Sequence, residues 1–253
     1  MNPIRRFFGK LFDQDSDQQS ATSPSPSSPA PAERVWDESS RKDLQDWIRN
    51  DIRGEVRLRS RDNDDILEKC FEAYIQDECP EEEWEIFQQI AKVELQKALE
   101  EYERDQETWP EETDCDRLDQ VEKELRDKGI LLWQVSPCCN SCSASELPDR
   151  IDEIDERFPG FRGVVRGYAF FHDQSMPDEL ADSTEISVYM SYGWFLPEDS
   201  DDVSDDEYEK HALGIAKEVC DCLKEHGFTV DWDGSMSRKI GINLNWRRRT
   251  MLQ

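Results

Sequence analysis

Apolar residues in the first half of the chain recur at alternating steps of three and four, which is the spacing of one helical face. The pattern predicts a helix from Asp37, a second behind a cap at Asp62 or Asp64, and a third that Trp109-Pro110 stops. The inward positions of the three helices are Leu44, Trp47, Ile48, Ile52 and Val56; Ile66, Leu67, Cys70, Phe71, Tyr74 and Ile75; and Trp84, Phe87, Ala91, Leu95, Ala98 and Tyr102.

The second half of the chain alternates helical patterns with runs of β-branched and aromatic residues, which are typical of strands. Helices are predicted from Thr113 to Gly129, over residues 147–158, and from Ser204 to His226. Strands are predicted at 130–135, 164–171, 185–195, 228–232 and 239–246, the first of them apolar on both faces like a covered central strand. We therefore expect an α+β fold, with a helical N-terminal part packed on a mixed or antiparallel sheet of about five strands flanked by helices.

The beginning of the chain has a different pattern. Ile4, Phe7, Phe8, Leu11 and Phe12 share one helical face and Arg5, Arg6 and Lys10 line the other, so residues 1–12 predict a short basic amphipathic helix. We expect it to dock weakly on a membrane surface or in the groove of an unidentified protein partner; the alternative is a frayed terminus without a function. Residues 13–36 are rich in Ser, Pro and Gln and predict a disordered tether. A helical subdomain at 37–108 and an α+β domain at 109–250 follow.

The charge of the chain limits its partners. Lys and Arg number 31 and Asp and Glu 59 in 253 residues, which gives a formal net charge of -28. A negative potential over most of the surface repels phosphate backbones, so we expect no nucleic-acid partner. Eight cysteines without a secretory leader or a regular spacing indicate a reducing compartment, and we expect the cytoplasm. The sequence has no apolar run long enough to predict a transmembrane segment.

The candidate chemistry lies in the turn after the first predicted strand. Cys139 and Cys142 have the Cys-x-x-Cys spacing that commonly places two thiolates on one zinc ion. Cys138 adds a third thiol, and His172 stands at the end of a later strand. We predict a zinc site formed by Cys138, Cys139, Cys142 and His172. Neighbouring residues in extended backbone point opposite ways, so Cys138 and Cys139 both ligate only if the turn curls, and Asp173 or a water could fill a remaining place.

Two other interpretations use the same residues. Cys139 and Cys142 could be a redox pair whose thiolate is favoured at a helix N-terminus, although residues 143–148 leave little room for a long helix before Pro148. The cysteines could also be small buried hydrophobic residues, with His172 a hydrogen-bonded histidine at a strand end. No glycine-rich phosphate loop, nucleophile elbow or metalloprotease helix is present, and no catalytic residue stands out.

Several motifs in the second half of the chain resemble one known family. They are the run from Trp109 to Leu118, Gly129-Ile130, Cys138-Cys-Asn-Ser-Cys142, Gly167-Tyr-Ala-Phe-Phe-His-Asp-Gln174, Ser191-Tyr-Gly193, Asp231-Trp-Asp-Gly-Ser235 and the stretch from Ile242 to Arg248. Together they resemble an uncharacterised bacterial family, a domain of unknown function, over about Leu44 to Arg249. The resemblance implies a single fold and a bacterial source. The family pattern also includes positions that correspond to Cys139, Cys142 and His172, and implies that these three form one site.

The sequence thus predicts a non-enzymatic cytoplasmic binding or interaction protein with a structural zinc site and a tethered docking helix. The alternative is an enzyme that uses the cysteine cluster. It would be a zinc-dependent hydrolase if a coordination position stays open, or a thiol oxidoreductase if no metal is bound.

Overall fold

The computed structural model describes residues 36–137, 139–196 and 203–252. The predicted amphipathic helix at 1–12 and the predicted tether at 13–36 lie outside these residues, except for Trp36. Within the described residues, the helices are α1 (Glu38–Leu58), α2 (Asn63–Cys70), α3 (Gln76–Glu78), α4 (Trp84–Gln106), α5 (Asp114–Asp127), α6 (Asn140–Arg157), α7 (Met176–Asp182) and α8 (Asp205–Glu225). The strands are β1 (Ile130–Ser136), β2 (Gly167–His172), β3 (Glu185–Trp194), β4 (Val230–Asp231) and β5 (Ile240–Asn245).

The described chain divides into two compact units. The helical unit comprises residues 36–109, 176–183 and 249–252, and the α/β unit comprises residues 110–137, 139–175, 184–196 and 203–248. The α+β class, the mixed sheet of five strands and its flanking helices are confirmed. The domain limits at 37–108 and 109–250 stay predictions. No helix among the described residues combines the length and the apolar character that crossing a membrane requires.

The helical unit is built around α1, which packs against α4 and α7. Four of the five predicted inward residues, Leu44, Ile48, Ile52 and Val56, are buried, whereas Trp47 is 38% exposed. Asp37 begins the helix by accepting a hydrogen bond from the backbone of Ser40, as an N-cap does. The helix α7 was not predicted. It forms because Met176, Pro177, Leu180 and Ala181 are all buried against neighbours that are distant in the sequence, a contact that local patterning does not show.

The sheet of the α/β unit has the order β1-β2-β3-β5-β4. Strands β1 and β2 are parallel and are joined by a connection that contains α6, while the other pairs are antiparallel. All seven residues of β1 are buried, as its apolar sequence predicts, yet the strand lies at the edge of the sheet and not in its centre. Its burial comes from helices, because α5 packs on it and α6 shares an apolar cluster with Leu131 and Trp133.

The helix α6 corrects one prediction. It begins at Asn140 and continues through Pro148, whereas the sequence predicted a shorter helix from residue 147. A proline inside a helix removes one hydrogen bond and costs about 3 kcal/mol. Burial of Ala144, Leu147, Ile151 and Ile154 along one face offsets that cost. The long helix removes the objection that a redox pair would lack a helix behind it.

Candidate functional site

The cysteine turn lies where β1 passes into α6. Cys139 is the N-cap residue of α6, and Cys142 follows in the first helical turn. His172 ends the neighbouring strand β2, where it is paired in register with Ser136 of β1. Because β1 and β2 are parallel, their carboxyl ends meet at one edge of the sheet. The fold therefore brings Cys139, Cys142 and His172 to the same end of the sheet.

Buried hydrogen bonds fix the backbone of this turn. The hydroxyl of Ser143 accepts a hydrogen bond of 2.7 Å from Ser136 and donates one of 2.9 Å to the carbonyl oxygen of Cys139. The hydroxyl of Ser191 on β3 donates a hydrogen bond of 3.0 Å to the side chain of Asn140. The first turn of α6 is thus tied both to the end of β1 and to β3.

The strand that leads into the turn carries a backbone outlier. Val135 has a φ of 54°, and the pairing of β1 with β2 shifts register between Trp133 and Ser136. A β-branched residue in the left-handed region costs of order 1–3 kcal/mol, and such residues often occur at functional sites. This backbone outlier and the register shift interrupt the regular pairing of β1 with β2 four positions before Cys139.

The metal set predicted from the sequence stays a prediction. Cys138 lies outside the described residues, and Cys139 and Cys142 are both partly exposed. Among the residues that the structure describes, one group of three possible ligand atoms comes within 4.8 Å of one another, and Cys139, Cys142 and His172 do not form it. That group is Glu124, Cys222 and His226.

The Glu124–Cys222–His226 group joins α5 to the end of α8. Cys222 and His226 are four residues apart, so both side chains lie on one face at the C-terminal end of α8. The carboxylate of Glu124 on α5 contacts both of them, with the Cys222 Sγ donating to Oε2 at 3.5 Å and the His226 Nε2 lying 3.2 Å from Oε1. The Cys222 side chain is buried, the His226 ring is mostly buried, and the Glu124 carboxylate is 46% exposed.

The electrostatic environment of the three groups follows from these contacts. The hydrogen bond with His226 is the largest cause, and the hydrogen bond with Cys222 the second, that holds the pKa of Glu124 below its ordinary value. Burial raises the pKa of Cys222 to about 11, and the hydrogen bond to Glu124 adds to the increase. Without a metal, Cys222 is therefore a neutral thiol that donates to the carboxylate and is a poor nucleophile.

The geometry suits a small divalent cation. Two ligand atoms on a tetrahedral zinc ion are roughly 3.3–3.8 Å apart when the bonds are about 2.0–2.3 Å. The contacts of Glu124 with Cys222 and His226, at 3.5 Å and 3.2 Å, are close to that spacing. The three side chains could hold a metal as a sulfur, a nitrogen and an oxygen ligand.

The sequence contains only part of the signal for this group. Cys222 and His226 are separated by four positions in a predicted helix, which indicates a shared face. Cys220 is only two positions from Cys222 and lies on a different face of the helix. The third residue, Glu124, is 98 positions away from Cys222 and could not be selected from 59 acidic residues.

A model of one protein family, described as Domain of unknown function (DUF6891), matches residues 40–250. No curated protein and no solved structure matches the chain. The match covers most of the chain and includes both the cysteine turn and the Glu124–Cys222–His226 group.

Proposed function

We propose a function from the geometry alone, because the chain belongs to this family and the family description assigns no activity. The protein binds zinc, and the metal has a structural and non-catalytic role. The α/β unit binds one zinc ion through Glu124, Cys222 and His226, and the ion links α5 to the C-terminal end of α8. The observation that supports this proposal is the approach of the three ligand atoms to within 4.8 Å of one another.

The ligand types favour zinc over other common cations. A thiolate is a soft ligand, whereas magnesium and calcium prefer sites built from oxygen alone. Cysteine sulfur, histidine nitrogen and a carboxylate oxygen are all ordinary zinc ligands. Because the metal-bound form requires the folded arrangement of α5 and α8, zinc would stabilise the α/β unit by mass action.

Two parts of the proposal concern the setting of the protein. We place it in the cytoplasm, where reduced cysteines persist. We assign the basic segment 1–12 to weak docking on a membrane surface. Neither part depends on the zinc site, and each can fail without affecting it.

The decisive experiment is elemental mass spectrometry of the purified, untagged full chain and of four variants. We expect about one zinc ion per chain in the wild type and loss of the zinc in Cys222→Ser and His226→Gln, since each removes a ligand. Cys220→Ser is the matched control, because Cys220 is equally buried on the same helix but is not part of the group. Circular dichroism would establish that each variant is folded.

The fourth variant separates the two candidate zinc sites. It carries Cys139→Ser with Cys142→Ser and should keep its zinc. If this variant loses the ion while Cys222→Ser retains it, zinc binds at the cysteine turn and the assignment to Glu124, Cys222 and His226 is wrong. Absence of zinc from the wild-type protein, even after dialysis against zinc, would leave the three side chains as an ion pair with a thiol hydrogen bond.

A further inference from the structure

The described cysteines fall into two classes. Cys70, Cys79, Cys115, Cys220 and Cys222 are buried, and burial raises the pKa of each of these thiols to about 11 or 12. Thiols of this kind are unreactive at neutral pH. Cys139 and Cys142 are the two described cysteines that solvent reaches. Thiol chemistry in the described part of the chain therefore concentrates in the turn after β1.

The positions of Cys139 and Cys142 allow their side chains to meet. Cys139 is the N-cap of α6, with extended backbone at φ -142° and ψ 173°, and Cys142 is the third residue of the helix. Side chains at the N-cap and the third position face each other across the first turn. The same two positions of α5 demonstrate it in this chain, because the hydroxyl of Thr113 donates a hydrogen bond of 2.8 Å to the carboxylate of Asp116.

The helix behind the pair favours the thiolate. The first backbone N–H groups of a helix have no partner within it, and the helix dipole places positive potential at this end. With 18 residues and its own buried face, α6 provides a full-length helix for that effect. A thiol at a helix N-terminus has a lowered pKa, so Cys139 is placed for reactivity.

The backbone around the pair is already fixed in position. The hydrogen bond between Ser136 and Ser143 is buried, and the bond from Ser143 to the carbonyl oxygen of Cys139 is partly buried. Asn140 is held by Ser191 of β3. A rigid turn keeps two thiols at a set separation. Two thiols held at a set separation favour the attack of the second thiol on a mixed disulfide formed at the first. That attack closes the disulfide between the two cysteines.

We propose that Cys139 and Cys142 form a dithiol that exchanges with exposed disulfides, an activity separate from zinc binding by Glu124, Cys222 and His226. The Cys139 thiolate attacks one sulfur of the disulfide, forms a mixed disulfide and releases the other sulfur as a thiolate. The Cys142 thiolate then attacks the Cys139 sulfur and releases the second thiolate. The dithiol loses two electrons, the disulfide gains them, and the two protons of the cysteines pass to the two released thiols.

The test traps the mixed disulfide. Oxidised glutathione is added to the full chain carrying Cys138→Ser, and to the same chain with Cys142→Ser in addition. The Cys138→Ser background prevents that cysteine from resolving the intermediate. Serine and cysteine have similar helix propensities, so Cys142→Ser should not weaken α6. We expect intact-mass and peptide mass spectrometry to find glutathione on Cys139 in the double variant, and roughly tenfold less of it when Cys142 is present.

A second measurement tests the thiolate. The alkylation rate of Cys139 by iodoacetamide, followed by peptide mass spectrometry, should reach its half-maximum below the ordinary cysteine pKa of about 8.5. A half-maximum at or above that value would overturn the proposal. So would equal labelling of Cys220, or no glutathione on Cys139 in the double variant. Loss of bound zinc in Cys139→Ser would also overturn the proposal of a dithiol, because the turn would then be a metal site. Cys222 and His226 are untouched throughout, so either proposal can fail alone.

Discussion

The hydroxyl of Ser136 donates a hydrogen bond of 2.7 Å to the hydroxyl of Ser143, and both side chains are fully buried. Ser136 ends β1 and Ser143 lies in the first turn of α6, so this bond closes the cysteine turn across seven positions. The carbonyl oxygen of Cys139 is bound by the same Ser143 hydroxyl. The geometry of the candidate dithiol therefore depends on two serines that carry no reactive chemistry.

Ser143→Ala removes the central hydroxyl of this arrangement. We expect the free energy of unfolding to fall by about 1 kcal/mol, because the buried hydrogen bond between the two hydroxyls is lost. The loss stays moderate because the carbonyl oxygen of Cys139 keeps the backbone N–H of Ser143, and the Ser136 hydroxyl keeps the carbonyl oxygen of Phe171. Urea denaturation followed by circular dichroism measures the change. Ser145→Ala is the control, since the exposed Ser145 hydroxyl also bonds a backbone carbonyl of α6 and its loss should cost less than about 0.5 kcal/mol. Equal effects of the two substitutions would contradict a structural role for the buried pair.

Lys69 pairs with two buried carboxylates in the helical unit, and Arg61 also pairs with one of them, Glu55. Its ammonium lies 2.6 Å from Asp51 and 2.7 Å from Glu55, whose side chains are 3% and 0% exposed. We expect Lys69→Met to reduce the free energy of unfolding by about 3 kcal/mol at pH 7, because both buried charges lose a partner. Lys97→Met removes a lysine paired with Glu94 at the surface and should have almost no effect. Chemical denaturation of the two variants, side by side with the wild type, measures the difference.

The same lysine predicts a pH dependence. Burial by itself would lower the pKa of Lys69, but the carboxylates of Asp51 and Glu55 outweigh it and hold the pKa above its ordinary value. A pKa raised in the folded state gives stability that is complete below the unfolded value, about 10.4, and is lost as the pH rises above it. The stability difference between wild type and Lys69→Met should therefore shrink from about pH 10 upward. A difference that stays constant to pH 12 or grows would show that the lysine does not act through its charge.

Two helical glycines should respond to alanine with opposite signs. A Cβ on Gly54 of α1 would lie 1.9 Å from the backbone carbonyl oxygen of Pro177 on α7, and backbone atoms cannot turn aside. Gly54→Ala should reduce the free energy of unfolding by about 2 kcal/mol or more. A Cβ on Gly214 of α8 meets nothing within 4 Å, so Gly214→Ala should increase it by about 0.5–1 kcal/mol. Thermal unfolding of both variants is the measurement, and destabilisation by both or by neither would contradict the packing described for α1 and α7.

Deletion of residues 1–12 tests the docking segment predicted from the sequence. We expect the full chain to sediment with anionic phospholipid vesicles and the shortened chain to remain in the supernatant. The basic side would contact the head groups while the apolar side enters the membrane surface. A full-length variant with Phe7→Glu and Phe8→Glu should behave like the deletion, since it keeps the length but loses the apolar face. Equal sedimentation of all three proteins would contradict the proposal that residues 1–12 dock on a membrane surface.

The candidate sites differ in how far the sequence could predict them. Cys139 and Cys142 are close in the chain, so their spacing alone indicates paired thiols. Their place at the start of α6 depended on a helix that passes through Pro148, which the local pattern does not favour. Glu124, Cys222 and His226 meet only because α5 and α8 pack together, and nothing in the neighbourhood of Glu124 distinguishes it from the other acidic residues.

The sequence by itself determined the features whose physical cause is local. Apolar stripes at helical spacing predicted α1, α4, α5 and α8. The predicted cap at Asp62 and the predicted helix starts at Asp37, Thr113 and Ser204 are confirmed, because a capping side chain bonds to backbone only two or three residues away. The tertiary structure decided the features that depend on distant partners: the edge position of β1, the helix α7, and the buried pairing of Arg248 with Asp119 and Gln134. The two Arg248 contacts span 129 and 114 positions, and their free energy arises from burial and charge pairing that exist only after the chain has folded.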